Sequence, residues 1–123
     1  MNTHTASGHT NAITASRVIG TAVYNTAGDR IGSIEDVMLE KMSNGIMFAV
    51  IGFGGFLGVG EKFHAIPWST LDYEKSRGGY VVPFTEEQLK AAPAHTINEL
   101  TGDDGTKARD DSYDYWKVTP YWY

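Results

Sequence analysis

Short apolar runs separated by turn residues organise the middle of the chain. From Val18 to Val82, apolar stretches alternate with clusters of Gly, Asn, Asp and Pro. Runs of about four to eight residues at this spacing are typical of a small β-sandwich or β-barrel. They predict about six strands, at 18–24, 30–39, 46–51, 62–66, 71–74 and 80–82.

The residues between these runs predict defined turns. Gly28 lies in the segment 25–29 and can adopt positive φ without steric cost. The Asn44-Gly45 pair favours a tight hairpin, and a further hairpin is predicted across 77–79. Within the second strand, the consecutive apolar residues 37–39 interrupt the alternation and predict a β-bulge or burial of both faces there.

One short helix is predicted after the strands, over residues 86–92. Thr85 and Gln88 have the spacing of a capping box, and Glu86 and Glu87 occupy the first turn, where the helix dipole favours negative charge. Pro93 ends the helix. The predicted order is therefore about six strands followed by one helix.

Charge divides the 123 residues into three parts. Residues 1–15 carry no charged side chain and are predicted to form a disordered leader. Residues 16–95 hold nearly all the patterned apolar sequence, with 9 acids and 7 bases, and are predicted to fold as one domain. Residues 96–123 carry 6 acids and 3 bases, and are predicted to be a polar linker followed by an extended aromatic tail.

Composition excludes several classes of function. The absence of cysteine rules out disulfides, thiol catalysis and cysteine metal sites. A net charge of -5 argues against direct nucleic-acid binding, which depends on Lys and Arg. No apolar run reaches the roughly 18 residues of a membrane span, and residues 1–5 lack the positive start of a secretory signal. A cytoplasmic location is expected.

No motif in the sequence supports a catalytic, cofactor or metal site. In the glycine-rich segment 52–60, Leu57 stands where a dinucleotide fingerprint needs its third glycine, and Glu61 stands where a P-loop needs lysine. The serines lack the G-x-S-x-G context of an activated nucleophile. The four histidines, at spacings that match no zinc-ligand pattern, are His4, His9, His64 and His95.

Several motifs together resemble the PRC-barrel family over about residues 16 to 93. They are the runs 18–24 and 28–40, the segment 48–62, and the Ala65-Ile66-Pro67-Trp68 step. The resemblance implies a compact six-stranded β-barrel. It also implies a docking role, because the family includes the cytoplasmic domain of the photosynthetic reaction-centre H subunit and the C-terminal domain of a ribosome maturation factor.

Within such a barrel, five residues are expected to be structural. Glycines are suited to bends and close strand approaches in a curved sheet, proline ends a strand, and a large aromatic side chain can fill the barrel. These residues are Gly20, Gly28, Gly32, Pro67 and Trp68, the last as a barrel plug.

The aromatic content exceeds what a domain of about 80 residues can bury, and surplus apolar surface usually marks an interface. We therefore predict a non-catalytic protein–protein interaction module that forms a two-fold homodimer and binds an unidentified protein partner. Its predicted interface residues are Phe53, Phe56, Leu57, Tyr115, Trp116, Tyr121 and Trp122. One alternative is a ribosome-assembly or RNA-processing adaptor acting through a ribosomal protein. Another is a small-ligand-binding protein or an enzyme.

Overall fold

The structure is a computed structural model that describes residues 12–53 and 62–122. Its main element is one six-stranded sheet with the strand order β4-β3-β2-β1-β6-β5. The strands are β1 Ala22–Tyr24, β2 Arg30–Glu40, β3 Gly45–Phe53, β4 His64–Ile66, β5 Asp72–Glu74 and β6 Gly79–Val81. Neighbours are antiparallel except β1 and β6, which are parallel. The predicted mainly β, six-stranded architecture is confirmed.

Hydrogen bonds do not close the described strands into a complete barrel. The two edge strands, β4 and β5, are consecutive in the chain and are joined by residues 67–71, which contain the 3-10 turn Trp68–Thr70. Just before β4, the Phe63 amide donates to the His95 carbonyl (2.7 Å) and the His95 amide donates to the Phe63 carbonyl (2.8 Å). These two bonds cover the start of the β4 edge.

The turns and the irregular second strand agree with the sequence. Gly28 has a φ of +93° and Asn44 a φ of +63°, so both occupy left-handed turn positions. The β2–β3 register shifts between Ile34 and Asp36 and again between Met38 and Leu39. The predicted irregularity at residues 37–39 is therefore confirmed.

The sheet has an apolar core on each face. Alternate residues of β3 divide between them: Ala49 and Ile51 belong to the first core, whereas Phe48 and Val50 belong to the second. The first core contains ten buried residues, namely Val18, Val23, Ile34, Ala49, Ile51, Ile66, Leu71, Tyr80, Val82 and Leu89. The second contains Met47, Phe48, Val50, Phe63, Ala65, Leu100 and Ala108.

Within the described ranges, four α-helices accompany the sheet: α1 Ala15–Val18, α2 Glu86–Ala91, α3 Ile97–Thr101 and α4 Thr106–Trp116. Helix α2 has the predicted capping box, because Gln88 N donates to Thr85 Oγ1 (3.1 Å) and Thr85 N donates to Gln88 Oε1 (2.8 Å). Helix α1 lies where the first predicted strand was expected to begin, and β1 starts only at Ala22.

The structure corrects the predicted conformation of the segment after residue 95, which is mostly helical rather than a polar linker and an extended tail. Helix α3 begins with its own capping box, formed by Thr96 and Glu99. Between α3 and α4, Asp103, Asp104 and Gly105 all have positive φ and turn the chain back onto the sheet. Glycine suits position 105 because its φ of +76° is strained for residues with a Cβ atom, and a Cβ atom there would also lie 3.3 Å from the Leu100 carbonyl oxygen.

Candidate interaction surface

An apolar groove opens at the hairpin end of β2 and β3, between helix α1 and the aromatic ring of Trp68. Its volume is about 430 Å³. We call it the apolar groove, and its lining is Ile13, Ala15, Ser16, Val18, Ile19, Asp36, Val37, Leu39, Ile46 and Trp68. A concave, mostly apolar surface of this size is suited to binding another molecule.

The groove forms because the β2–β3 hairpin is longer than the described strands that pair with it. Leu39 pairs with Ile46 and Val37 pairs with Ala49, so these side chains continue the face of the first core toward the hairpin turn. Near the turn no other strand of the described residues covers them. Leu39 is 62% exposed, and across the groove Ile13 and Ile19 are 42% and 41% exposed. Contiguous exposed aliphatic side chains of this kind are typical of an interaction surface.

One ionisable side chain lies among the described residues that line the groove. It is Asp36, which is exposed and whose Oδ1 accepts a hydrogen bond from the Val37 amide (2.8 Å). The groove therefore combines an apolar lining with a single negative charge.

A projecting turn, residues 41–44, lies next to the groove, and we call it the hairpin tip. Met42 at this tip is 93% exposed. The turn is held by two bonds of the Ser43 hydroxyl, which donates to Glu40 Oε1 (2.8 Å) and accepts from the Gly45 amide (3.2 Å). An apolar, unbranched side chain is thus presented to solvent on a defined turn.

The aromatic residues near the C-terminus, which the sequence predicted as interface, make contacts within the chain. Trp116 stacks on Phe84 with ring centroids 3.9 Å apart. The Tyr115 hydroxyl donates to the Gln88 carbonyl (2.9 Å). Both contacts fasten the end of α4 to α2 and the segment before it.

The last two described aromatic residues continue this packing. Trp122 meets Tyr113 edge to face at 4.8 Å, and the Arg109 guanidinium lies 3.7 Å from the Trp122 ring centroid. Tyr121 packs at 5.9 Å from Tyr113 and remains 42% exposed. Burial, and then the carboxylate of Glu40, raise the pKa of the Tyr121 hydroxyl. A role for these rings in binding a partner stays a prediction.

The loop that the sequence predicted as part of the interface falls largely outside the described residues. Phe56 and Leu57 lie outside the described residues, and Phe53 is described only as the last backbone position of β3.

The five residues predicted as structural occupy different positions. Gly20 has a φ of +90°, Gly28 lies in its turn, and Gly32 is a β2 residue opposite Val23. Pro67 is buried and directly precedes Trp68. The Trp68 ring packs against Tyr80 at 5.6 Å but is only half-buried, because its other side forms a wall of the apolar groove.

A second cleft of about 420 Å³ lies on the other side of the hairpin, against the turn before α4. Its charged lining residues are Glu40, Lys41, Asp104 and Arg109. Both signs of charge are present, and Arg109 already pairs with Asp110 at 3.1 Å. Met38, Leu39, Met42 and Met47 also line this cleft, so it offers a mixed polar and apolar surface rather than a site for one kind of ligand.

The histidine considered for chemistry is tied into the sheet. His64 Nδ1 lies 3.0 Å from the Pro93 carbonyl, so this nitrogen carries the proton and donates. Burial lowers the pKa of His64 below its ordinary value, outweighing the opposite effect of that hydrogen bond. Residues 12–53 and 62–122 contain no group of three His, Cys, Asp or Glu side chains placed to hold a metal ion.

The part of the chain that the structure describes contains no helix long and apolar enough to span a membrane. A search of curated proteins gave no significant match to this sequence. The family model of the PRC-barrel domain, however, matches residues 10–89, which include all six strands and every residue that lines the apolar groove. Since this match covers well over half of the sequence and agrees with the observed sheet, the chain belongs to the PRC-barrel family.

Proposed function

We propose that this PRC-barrel chain is a non-catalytic protein–protein interaction module that forms a homodimer through its apolar groove. The observation that carries the proposal is the set of exposed aliphatic side chains around the groove, with Leu39 the most exposed of its large apolar lining residues. Exposed apolar patches rimmed by polar residues are characteristic of protein interfaces.

The chemistry of the groove favours a protein over a small polar ligand. Small-molecule sites combine an apolar lining with several convergent polar groups that fix the ligand. Here the described lining offers the Asp36 carboxylate and the Ser16 hydroxyl as its polar side chains. The same lack of convergent acid, base or nucleophile supports a non-catalytic role.

A second copy of this chain is the occupant that the surface favours. A two-fold interface uses the same patch on both subunits, so that patch must contain a depression and a protrusion that fit each other. The apolar groove supplies the depression, and the adjacent Leu39 and Met42 supply apolar protrusions. The aromatic tail is a weaker candidate, because Trp116 and Trp122 already pack within the chain.

The test is the mass of the protein in solution at tens of micromolar, measured by light scattering after size exclusion. We expect twice the chain mass of 13.5 kDa. Leu39→Glu places a charge in the apolar contact and is expected to give a monomer. The matched control is Ile97→Glu, since Ile97 is also exposed (45%) but lies on α3, away from the groove lining.

A monomeric wild-type protein would contradict the proposal. So would a Leu39→Glu protein that remains dimeric while Ile97→Glu becomes monomeric, because the interface would then lie at α3. Circular dichroism of both variants establishes that each is folded.

A further inference from the structure

We infer that the hairpin tip of each copy inserts into the apolar groove of the other, and that Lys41 pairs with Asp36 of the partner subunit. This inference rests on the proposed homodimer and specifies which parts of the two copies meet. It concerns the arrangement of the interface, whereas the proposed function requires only that the grooves take part.

The first step is the position of the tip relative to the groove. β2 ends at Glu40 and β3 begins at Gly45, so residues 41–44 follow the Glu40–Gly45 pair, one pair beyond the Leu39–Ile46 pair that lines the groove. Lys41 and Met42 also line the second cleft, so the tip projects from the end of the hairpin between the groove and that cleft. A two-fold axis beside the hairpin would place each tip at the other groove, which satisfies the reciprocity that such an interface requires.

The second step is the match in shape and polarity. Met42 is the most exposed large apolar side chain of the described residues, at 93%. Methionine is unbranched and flexible, so it fits irregular apolar depressions well. The groove, at about 430 Å³ with a largely aliphatic lining, has room for this side chain beside Leu39 of the partner subunit.

The third step is the match in charge. Asp36 is the ionisable group of the described groove lining, and Lys41 is the ionisable group of the tip. Lys41 takes part in no ion pair within the described part of the chain, and Asp36 accepts only the bond from the Val37 amide there. Opposite charges on the protrusion and in the depression favour the contact and fix its register.

The main test exchanges the two charges. A two-fold dimer contains the proposed Lys41–Asp36 contact twice, and either Lys41→Glu or Asp36→Lys places like charges at both contacts. Each single variant is expected to raise the dimer dissociation constant about tenfold at low ionic strength. The double variant restores opposite charges and is expected to return to within about twofold of wild type. High salt should reduce the effect of both single variants, because exposed charges are screened. Sedimentation equilibrium measures all four proteins.

The outcomes separate this inference from the proposed function. If Leu39→Glu abolishes the dimer but the double charge variant is as weak as either single variant, the tip-to-groove pairing is overturned and the groove dimer stands. If the single charge variants dimerise like wild type, the pairing is again overturned. If wild type is monomeric, both fail.

A second measurement does not depend on charge. The chain contains no cysteine, so introduced thiols are unique. A Met42→Cys protein mixed with a tagged Ile19→Cys protein is expected to form a mixed disulfide dimer on mild oxidation, since Ile19 lines the groove. Ile97→Cys in place of Ile19→Cys is the control and should give much less. Equal yields from both mixtures would overturn the inference.

Discussion

The two faces of the sheet are covered in different ways. The first core is built from residues 18–89, which lie within the PRC-barrel match, and near the β2–β3 turn it stays open as the apolar groove. The second core takes Leu100 and Ala108 from helices outside that match. Helices α3 and α4 thus complete one face, and the apolar groove lies on the other.

This difference predicts a large effect of removing the appended helices. A chain ending after Thr96 keeps the Phe63–His95 bonds but uncovers the second core, including Phe48 and Phe63. Because each large apolar side chain loses roughly 1.5–3 kcal/mol when it returns to water, we expect the free energy of unfolding to fall by roughly 3–6 kcal/mol. Urea unfolding followed by circular dichroism measures it. Wild-type stability in the shortened chain would mean that the second face needs no cover.

A single side chain on α3 tests the same face more finely. Leu100 is 1% exposed, so Leu100→Ala leaves a cavity and should lower the free energy of unfolding by about 2–4 kcal/mol. Ile97 on the same helix is 45% exposed, and Ile97→Ala is the matched control, with an expected change of less than about 1 kcal/mol. Equal losses would show that α3 does not use one face for packing.

The contact between α4 and the edge strand β4 should contribute less. The buried Ser112 hydroxyl donates to the Ala65 carbonyl at 2.6 Å. Ser112→Ala leaves that buried carbonyl without this donor and should cost about 1–2 kcal/mol. Tyr115→Phe removes an exposed bond of similar length, to Gln88, and should cost less than about 1 kcal/mol in the same urea experiment. The reverse order would contradict the role assigned to burial.

The smallest expected effect is a dependence on pH through His64, which joins β4 to the segment before α3. Burial lowers its folded-state pKa below the unfolded value of about 6.5. The stabilising contribution of neutral, buried His64 is therefore complete above about pH 6.5 and is lost as the pH falls toward its folded-state pKa. Wild type should lose more stability than His64→Gln between about pH 7.5 and 5. Parallel pH profiles of the two proteins would contradict this.

Local signals in the sequence predicted much of the sheet and little of the second face. The Thr85–Gln88 capping box depends on neighbouring residues and formed as predicted. A hairpin formed at Asn44-Gly45, but its turn spans residues 41–44, and only Asn44 of the pair has positive φ. The Thr96–Glu99 pair has the same spacing and also forms a capping box. Helix α4 gave a weak signal, because two of its three buried residues, Ala108 and Ser112, are small or polar, so the helical period shows little apolar contrast.

The apolar groove could not be predicted, for a different reason. Leu39 and Ile19 look like ordinary strand residues in the sequence, and their exposure results from where the neighbouring strands end. Aromatic residues were predicted to form the interface instead. A large number of aromatic residues does not by itself indicate an interface. The Trp116 ring, for example, stacks on Phe84 of the same chain.

The parallel pairing of β1 with β6 also sets an order in which the protein can fold. The β1–β6 pairing brings Val23 beside Tyr80, which is far away in sequence. The β2–β3 pairing, in contrast, joins strands connected by a short turn. Contacts between distant residues form slowly because a long loop must close first. On the ribosome, β1 lacks one neighbour until β6 has been made, and the apolar residues of the second core stay uncovered until α4 emerges. Synthesis of α4 therefore ends the period in which the uncovered second core can drive aggregation of the nascent chain.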